Sequence, residues 1–320
     1  MGDDITDTET DPTEEAVGFR SGFACFVGRP NAGKSTLTNA LVGDKIAITS
    51  SKPQTTRHAI RGLVHTPDAQ LVLVDTPGLH RPRNTLGERL NDLVRATWTD
   101  VDTVAMCFPS DQKVGPGDKY LVKELAGLRR KPVLAVATKT DLVSPDRLAQ
   151  HLMAIHAAGE EAGLRWQDIV PVSAVDGSQV ELLRDLLIAT LPQGSPLYPD
   201  GQLTDEPAET LVAEVIREAA LEGVRDELPH SLAVVVDEIV PREDRPEGKP
   251  LTDVRVNVYV ERDSQKGIII GKQGVRLREI GATSRRQIEK ILGVPVYLDL
   301  HVKVAKDWQR DPKQLRKLGF

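Results

Sequence analysis

Three short strings can do chemistry together. Gly28-Arg-Pro-Asn-Ala-Gly33-Lys34-Ser35 has the spacing GxxxxGK[ST]. In such a loop backbone N–H groups converge on phosphate oxygens, the lysine ammonium meets the β- and γ-phosphates, and the hydroxyl faces Mg2+. Asn31 and Ala32 inside the loop, and Thr36 just after it, join Gly28, Gly33, Lys34 and Ser35 as candidate nucleotide contacts. Asp75-Thr-Pro-Gly78 supplies a carboxylate that can hold Mg2+ through water and a glycine N–H that can touch a γ-phosphate. In Thr138-Lys139-Thr140-Asp141 the last residue can accept two hydrogen bonds from a guanine edge. Charge-assisted bonds of that kind are worth about 1.5–3 kcal/mol each, enough to prefer guanine to adenine. Ser173-Ala174 would lie against the same base.

Each string closes an apolar run, and that context separates a working site from a chance match. Strands are expected near 23–27, 59–65, 71–75, 103–108, 133–138 and 169–172, alternating with helix-period segments at 35–41, 86–98, 120–128, 146–158 and 180–191. The alternation predicts an α/β fold, a mostly parallel sheet with helices on both faces, with ligands at the carboxyl ends of its strands. Gln54-Thr55-Thr56-Arg57, between the first helix and the second strand, is placed to fold over a γ-phosphate and its metal; Thr56 is the expected metal-sensing hydroxyl, with Thr55 as the alternative. The expected catalytic group is therefore Lys34, Thr56 and Gly78, and the expected Mg2+ ligands are Ser35, Thr56 and Asp75.

Past this region the chemistry changes. Pro192-Gln-Gly-Ser-Pro-Leu-Tyr-Pro-Asp-Gly reads as turns. The division expected is a tail at 1–18, a nucleotide-binding domain at 19–191, a linker at 192–207 and a second domain at 208–320. The second domain should hold a helix at 208–222, strands at 231–240 and 254–261, a helix at 275–292 and a strand at 295–304. Gly271-Lys272-Gln273-Gly274, preceded by Ile270, can clamp a nucleic-acid backbone, because paired glycines permit close approach and Lys272 meets a phosphate. Arg276, Arg278, Arg285 and Arg286 follow it, and Lys303, Lys306 and Trp308 can extend a groove for single-stranded RNA. Trp308 has a second reading as a packing anchor.

Charge agrees with that placement. The chain carries −6 in total, yet Arg262–Phe320 holds 14 Lys+Arg against 6 Asp+Glu. A basic end on an acidic body points to a polyanionic partner or, more plainly, to a solvated helix face. The acidic start, without a basic residue before Arg20, is expected to be a disordered tail, and its Met-Gly-Asp-Asp-Ile-Thr opening is a chance match to a myristoylation pattern. Without a signal peptide or an apolar run of about 18 residues, a cytoplasmic location is expected. Cys25 and Cys107 lack paired or metal-ligand spacing and should be buried free thiols.

The order of the first three strings resembles that of the translation-factor-related GTPases, whose base-reading motif is usually Asn-Lys-x-Asp; Thr138 stands in the Asn place here. The residue after Gly78 is Leu79, where many GTPases have a glutamine that orients water. Slow intrinsic hydrolysis is the consequence, with help from a partner or a cation. Asn31 matches the K+-coordinating residue of potassium-stimulated relatives, or is a turn residue. The second half resembles a type II, bacterial KH domain in its helix-strand-strand-helix-helix-strand order around the GxxG loop.

From Phe23 to Phe320 the chain is similar to the Era family of ribosome-assembly GTPases. Gly-Arg-Pro-Asn-Ala-Gly-Lys-Ser, Gln-Thr-Thr-Arg-His, Asp-Thr-Pro-Gly-Leu-His, Ile-Gly-Lys-Gln-Gly and the ending Leu315-Arg-Lys-Leu-Gly-Phe320 carry the likeness. The resemblance implies GTP and GDP as ligands with Mg2+, binding to 16S rRNA near its 3′ end, assistance to the 30S ribosomal subunit, a monomeric state and some peripheral membrane association. Two other readings stay open at this point: an RNA-binding module with a structural nucleotide, and a sister GTPase acting on tRNA or the large subunit.

Overall fold

The computed structural model describes residues 18–49, 55–79, 82, 84–128, 131–224, 228–243, 246 and 248–320. The expectations for the acidic start and for Gln54 and His80 lie outside the described residues.

The first half runs β1 (Arg20–Val27), α1 (Lys34–Val42), β2 (Ile60–Thr66), β3 (Ala69–Asp75), α2 (Thr85–Asp100), β4 (Thr103–Pro109), α3 (Pro116–Ala126), β5 (Val133–Thr138), α4 (Pro145–Ala162), β6 (Ile169–Pro171) and α5 (Val180–Ala189). Its six-stranded sheet has the order β2-β3-β1-β4-β5-β6. Only β2 runs antiparallel to its neighbour; the other pairs are parallel. Residues 69–75, 103–109 and 133–138 are buried throughout, as strands covered on both faces must be. One cluster packs α1 and α5 on one face, with Leu37, Leu41, Leu183 and Leu187. The other packs α2, α3 and α4, with Val94, Trp98, Leu121 and Ile155.

Register then fixes the site. Phe26 of β1 pairs with Asp75 of β3, so the carboxylate stands beside the strand that launches the phosphate loop. On the other flank β4 and β5 are in step at Pro109 and Thr138, so all these strands present their carboxyl ends along one edge. Cys25 and Cys107 are buried free thiols, and burial pushes the Cys107 thiol up to about 12.

The segment 192–207 has neither helix nor named strand, yet it is tied down along β2 and β3. Leu63 N donates to Leu203 O (2.9 Å), Gln70 Oε1 accepts from Leu197 N and Tyr198 N, and Arg61 pairs with Asp205 at 2.8 Å. These bonds cover the edge strand β2.

The second half runs α6 (Ala208–Leu221), α7 (Leu228–Ser231), β7 (Ala233–Pro241), β8 (Thr252–Val260), α8 (Asp263–Ile270), α9 (Val275–Leu292), β9 (Val296–Val304) and α10 (Pro312–Lys317). β7 and β8 are antiparallel, while β8 and β9 are parallel. Helices α6 and α9 bury Val212, Ile216, Ile280 and Ile288 against Val254, Val256, Val258 and Val260 of the sheet. A smaller cluster joins the two halves: Leu86 and Leu90 of α2 pack with Ala233, Trp308, Leu315 and Leu318.

Candidate nucleotide site and nucleic-acid groove

A cavity of about 330 Å³ lies at the end of β1, lined among others by Asn31, Ala32, Gly33, Lys34, Ser35, Thr36, Thr56, Gly78 and Lys139. Two backbone features shape it. Gly33 takes a left-handed φ of 88° as it opens α1, a conformation that L side chains resist. Gly78 lies so close to the loop that an added Cβ would come within 2.6 Å of Pro30 N. Asn31 and Lys139 also adopt left-handed backbone, at φ 61° and 58°. Lys34 Nζ donates to Gly28 O (3.3 Å) and Arg29 O (3.2 Å), and burial lowers its pKa from the usual lysine value.

Beside the lysine three oxygens meet. Ser35 Oγ donates to Asp75 Oδ2 at 2.6 Å, lies 2.9 Å from Thr56 Oγ1, and Thr56 Oγ1 reaches the same carboxylate oxygen at 3.3 Å. Asp75 Oδ1 is buried without a hydrogen-bond partner. Burial pushes the carboxyl up to about 6, against the pull of the Ser35 and Thr56 hydroxyls and the Lys34 ammonium. Oxygen ligands and a carboxylate left short of partners fit a hard divalent cation such as Mg2+. Of the two threonines, Thr56 is the one whose hydroxyl joins this group.

At the purine end, Asp141 is exposed and its Oδ1 accepts from the buried Ser173 hydroxyl at 2.7 Å. Ala174 follows, packed against the apolar cluster of α1 and α5. Thr138 does something the sequence did not suggest: its buried hydroxyl donates to Ala32 O at 2.7 Å and ties the base loop to the phosphate loop. Leu79 is buried among Val27, Val94, Phe108 and Leu121 and takes no part in the cavity. Ile48 and Thr49, which line it, carried no signal beyond lying in a connecting segment.

In the second half Gly271 and Gly274 have φ 71° and 75° around exposed Lys272 and Gln273. An added Cβ at Gly271 would sit 2.8 Å from Arg276 Cβ. Next to the loop runs a groove of about 640 Å³ between α9 and β9, lined by Gln273, Gly274, Leu277, Arg278, Gly281, Ala282, Arg285, Val296, Tyr297, Leu298 and Leu300. Its lining combines small Gly281 and Ala282 and three leucines with the exposed Arg278 and Arg285. Ile270 is half-buried behind the loop.

Several of the residues expected to meet RNA lie away from this groove. Trp308 is fully buried, donates Nε1 to Ser231 O at 3.0 Å and stacks on Phe320, so it is the packing anchor and not a base platform. Lys303 alternates out of phase with Leu298 and Leu300 and occupies the opposite face of β9, and Lys306 lies beyond that strand. Arg276 turns back to the end of α6, where its Nη2 donates to Glu222 O at 2.6 Å. Arg286 is exposed but does not line the groove. Leu277, Gly281, Ala282, Leu298 and Leu300 also line the groove; the alternating apolar phase of β9 and the paired small residues on α9 are their signals in the sequence.

Fold and sites together define a P-loop GTPase domain followed by a KH domain. Residues 23–139 match the family described as 50S ribosome-binding GTPase, and residues 227–309 match the KH domain family. The chain is 65% identical over 315 residues to GTPase Era of Streptomyces coelicolor, covering 98% of this chain and 99% of that protein. It is 63% identical over 304 residues to GTPase Era of Mycobacterium avium, covering 94% and 99%. A crystal structure of Era in complex with MgGDPNP and nucleotides 1506–1542 of 16S ribosomal RNA is similar at a TM-score of 0.88, with 36% identity, 94% of this chain and 99% of that one. An Aquifex aeolicus Era variant bound to GDP·AlF4− gives 0.88 and 35%, with coverage of 94% and 99%. The chain belongs to the Era family of GTPases.

Proposed function

We propose that this chain binds GTP with Mg2+, hydrolyses it slowly to GDP, and binds single-stranded 16S rRNA near its 3′ end in support of 30S subunit assembly and maturation. The observation that carries the nucleotide reading is the meeting of Ser35, Thr56 and Asp75 oxygens beside Lys34 at the mouth of the phosphate loop. The RNA reading rests on the groove at the GxxG loop and on the Era relative solved with 16S rRNA.

Each residue then has a role. Backbone N–H groups of 31–36 receive the phosphates, and Lys34 exchanges its two carbonyl partners for phosphate oxygens. Ser35 and Thr56 offer hydroxyls, and Asp75 a carboxylate, to Mg2+, which neutralises phosphate charge when bound. Gly78 presents its N–H at the terminal phosphate, and Asp141 reads guanine while Ser173, Ala174 and Lys139 frame the base. Leu79 cannot orient water, so turnover is slow until a partner or a cation contributes. Asn31 is the residue we assign to K+, and equal turnover in KCl and NaCl would remove that assignment. The cytoplasmic location rests on the sequence without a signal peptide or long apolar run, and the peripheral association with a membrane and the monomeric state on the family resemblance; no helix among the described residues is long and apolar enough to cross a membrane.

Calorimetry with Mg2+ tests the core of this reading. GDP and GTP should bind and ATP should not, and Asp141→Asn should lower guanine affinity by about 1.5–3 kcal/mol for each charge-assisted bond lost. No heat with either guanine nucleotide would refute it. An RNA carrying the 3′-terminal 16S sequence should bind in a salt-dependent manner, and an unrelated duplex should not compete.

A further inference from the structure

Two arginines fix the chain on either side of Thr56, and both reach across the boundary between the halves. Arg217 of α6 is buried; its Nη2 donates to Thr55 O, and its Nε and Nη2 hold the buried Glu214 carboxylate at 2.8 and 2.6 Å. On the other side Arg57, also buried, donates to Leu232 O (2.6 Å) and His230 O (2.7 Å) at the start of the second sheet. Thr56 therefore stands between two fixed points while its own hydroxyl meets Ser35 and Asp75. One turn beyond Glu214, Glu218 Oε1 accepts from Thr49 N at 2.9 Å, so the same helix face follows the loop at a second place.

Chemistry explains why an arginine is needed. A guanidinium is a rigid planar fork that can hold a carboxylate and a carbonyl at once, while an ammonium is a single point charge. A buried ion pair brings little net stability after desolvation, so its value lies in geometry. Here that geometry ends on the Thr55 carbonyl, one peptide away from the metal-sensing hydroxyl.

We propose that Arg217, oriented by Glu214, is a positioning residue of the nucleotide switch: from the RNA-binding half it fixes the Thr55 carbonyl and so aims the Thr56 hydroxyl at the Mg2+ oxygens. This rests on the reading of Ser35, Thr56 and Asp75 as Mg2+ ligands. The metal site is complete only while α6 is seated on the loop. Any RNA-induced shift of α6 changes the affinity for Mg2+-GTP, and the nucleotide changes RNA affinity by the same factor.

The test uses the full chain. Arg217→Lys keeps a cation beside Glu214 but loses the fork. GDP affinity should stay within about twofold, while single-turnover hydrolysis slows and the Mg2+ concentration for half-maximal rate rises, each by about tenfold to a hundredfold, the scale of a small misplacement. Thr56→Ala should produce the same two changes, and adding Arg217→Lys to it should change nothing further. Glu214→Gln, which keeps shape and hydrogen bonding, should move both readouts the same way by less. Wild-type Mg2+ dependence in Arg217→Lys, or effects that multiply in the double variant, would overturn the proposal. Loss of GDP affinity and melting temperature together in both Arg217→Lys and Glu214→Gln would also overturn it, by showing a merely structural pair. A wild-type chain whose GTP turnover ignores Mg2+ would overturn this proposal and the underlying site reading together.

Discussion

Thr138 shows how one side chain can trade recognition for cohesion. Its single hydroxyl proton goes to Ala32 O, so little donor capacity remains for the purine ring. Thr138→Asn keeps a donor for that carbonyl and adds a second polar group at the base, and GDP affinity should rise by about 1 kcal/mol, the net worth of one hydrogen bond; unchanged calorimetric affinity would show that the position does not face the base. Asp75 offers a second residue-scale test. Burial raises its carboxyl from 3.8 to about 6, above its unfolded value. Between those values the folded chain holds a proton that the unfolded chain has released, so its contribution to stability is present at the acid end and is lost as pH rises through about 6. Without Mg2+, chemical denaturation should show wild type losing stability relative to Asp75→Asn by up to about 3 kcal/mol from pH 4 to 7. With Mg2+ the difference should shrink, because the cation favours the ionised form. The residues of these motifs were legible in the sequence because each is a short local string at a strand end. The Arg217–Glu214 pair was not, since an i,i+3 pair on an amphipathic helix reads as ordinary surface chemistry.

At the scale of elements, α9 and β9 build the groove by spacing alone. Gly281 faces Leu300, whose Cδ1 would be 3.6 Å from an added Cβ. Gly281→Ala therefore fits, and should raise stability by up to about 1 kcal/mol through helix propensity. Gly281→Leu instead puts a bulky side chain into the groove that Arg278 and Arg285 also line, and should abolish binding of the 3′-terminal 16S sequence in a fluorescence titration while leaving GDP affinity untouched. Retained RNA binding would place the RNA elsewhere. Strand phase also explains which groove residues sequence reasoning could reach. Valines and leucines at 296, 298, 300, 302 and 304 mark one face of β9, so alternation assigns Lys303 to the other face whatever its charge suggests. The order of the longer strands and helices was legible, since hydrophobic period depends on local sequence, whereas the short α7 and α10 were not, because four to six residues carry too little period. The anchoring of 192–207 along β2 was not, because its bonds run from Gln70 and Arg61 to partners more than a hundred residues away.

For the whole molecule, the question is whether the two halves fold as one unit. The joining cluster is small, but its centre is fully buried: Trp308 lies under Arg57, whose guanidinium is 5.7 Å from its ring, and against the half-buried Phe320, which stacks in turn on His58. Helix α2 adds Leu86, Leu90 and the Asn84–Gln309 hydrogen bond of 2.7 Å. Segments on both sides of the cavity thus meet one aromatic stack, and its placement was illegible in sequence because the partners are some 250 residues apart. Removing a buried tryptophan costs about 3–5 kcal/mol, and here the lost packing belongs to the contact between halves. Wild type should melt in a single transition that GDP shifts upward as a whole, since a ligand stabilises whatever unfolds with its site. Trp308→Ala should split that melt in two, with GDP raising only the transition of the half that contains the phosphate loop. A single, uniformly shifted transition in Trp308→Ala would mean that the polar contacts of α6 with Lys45, Thr49 and Thr55 hold the halves together without the aromatic stack.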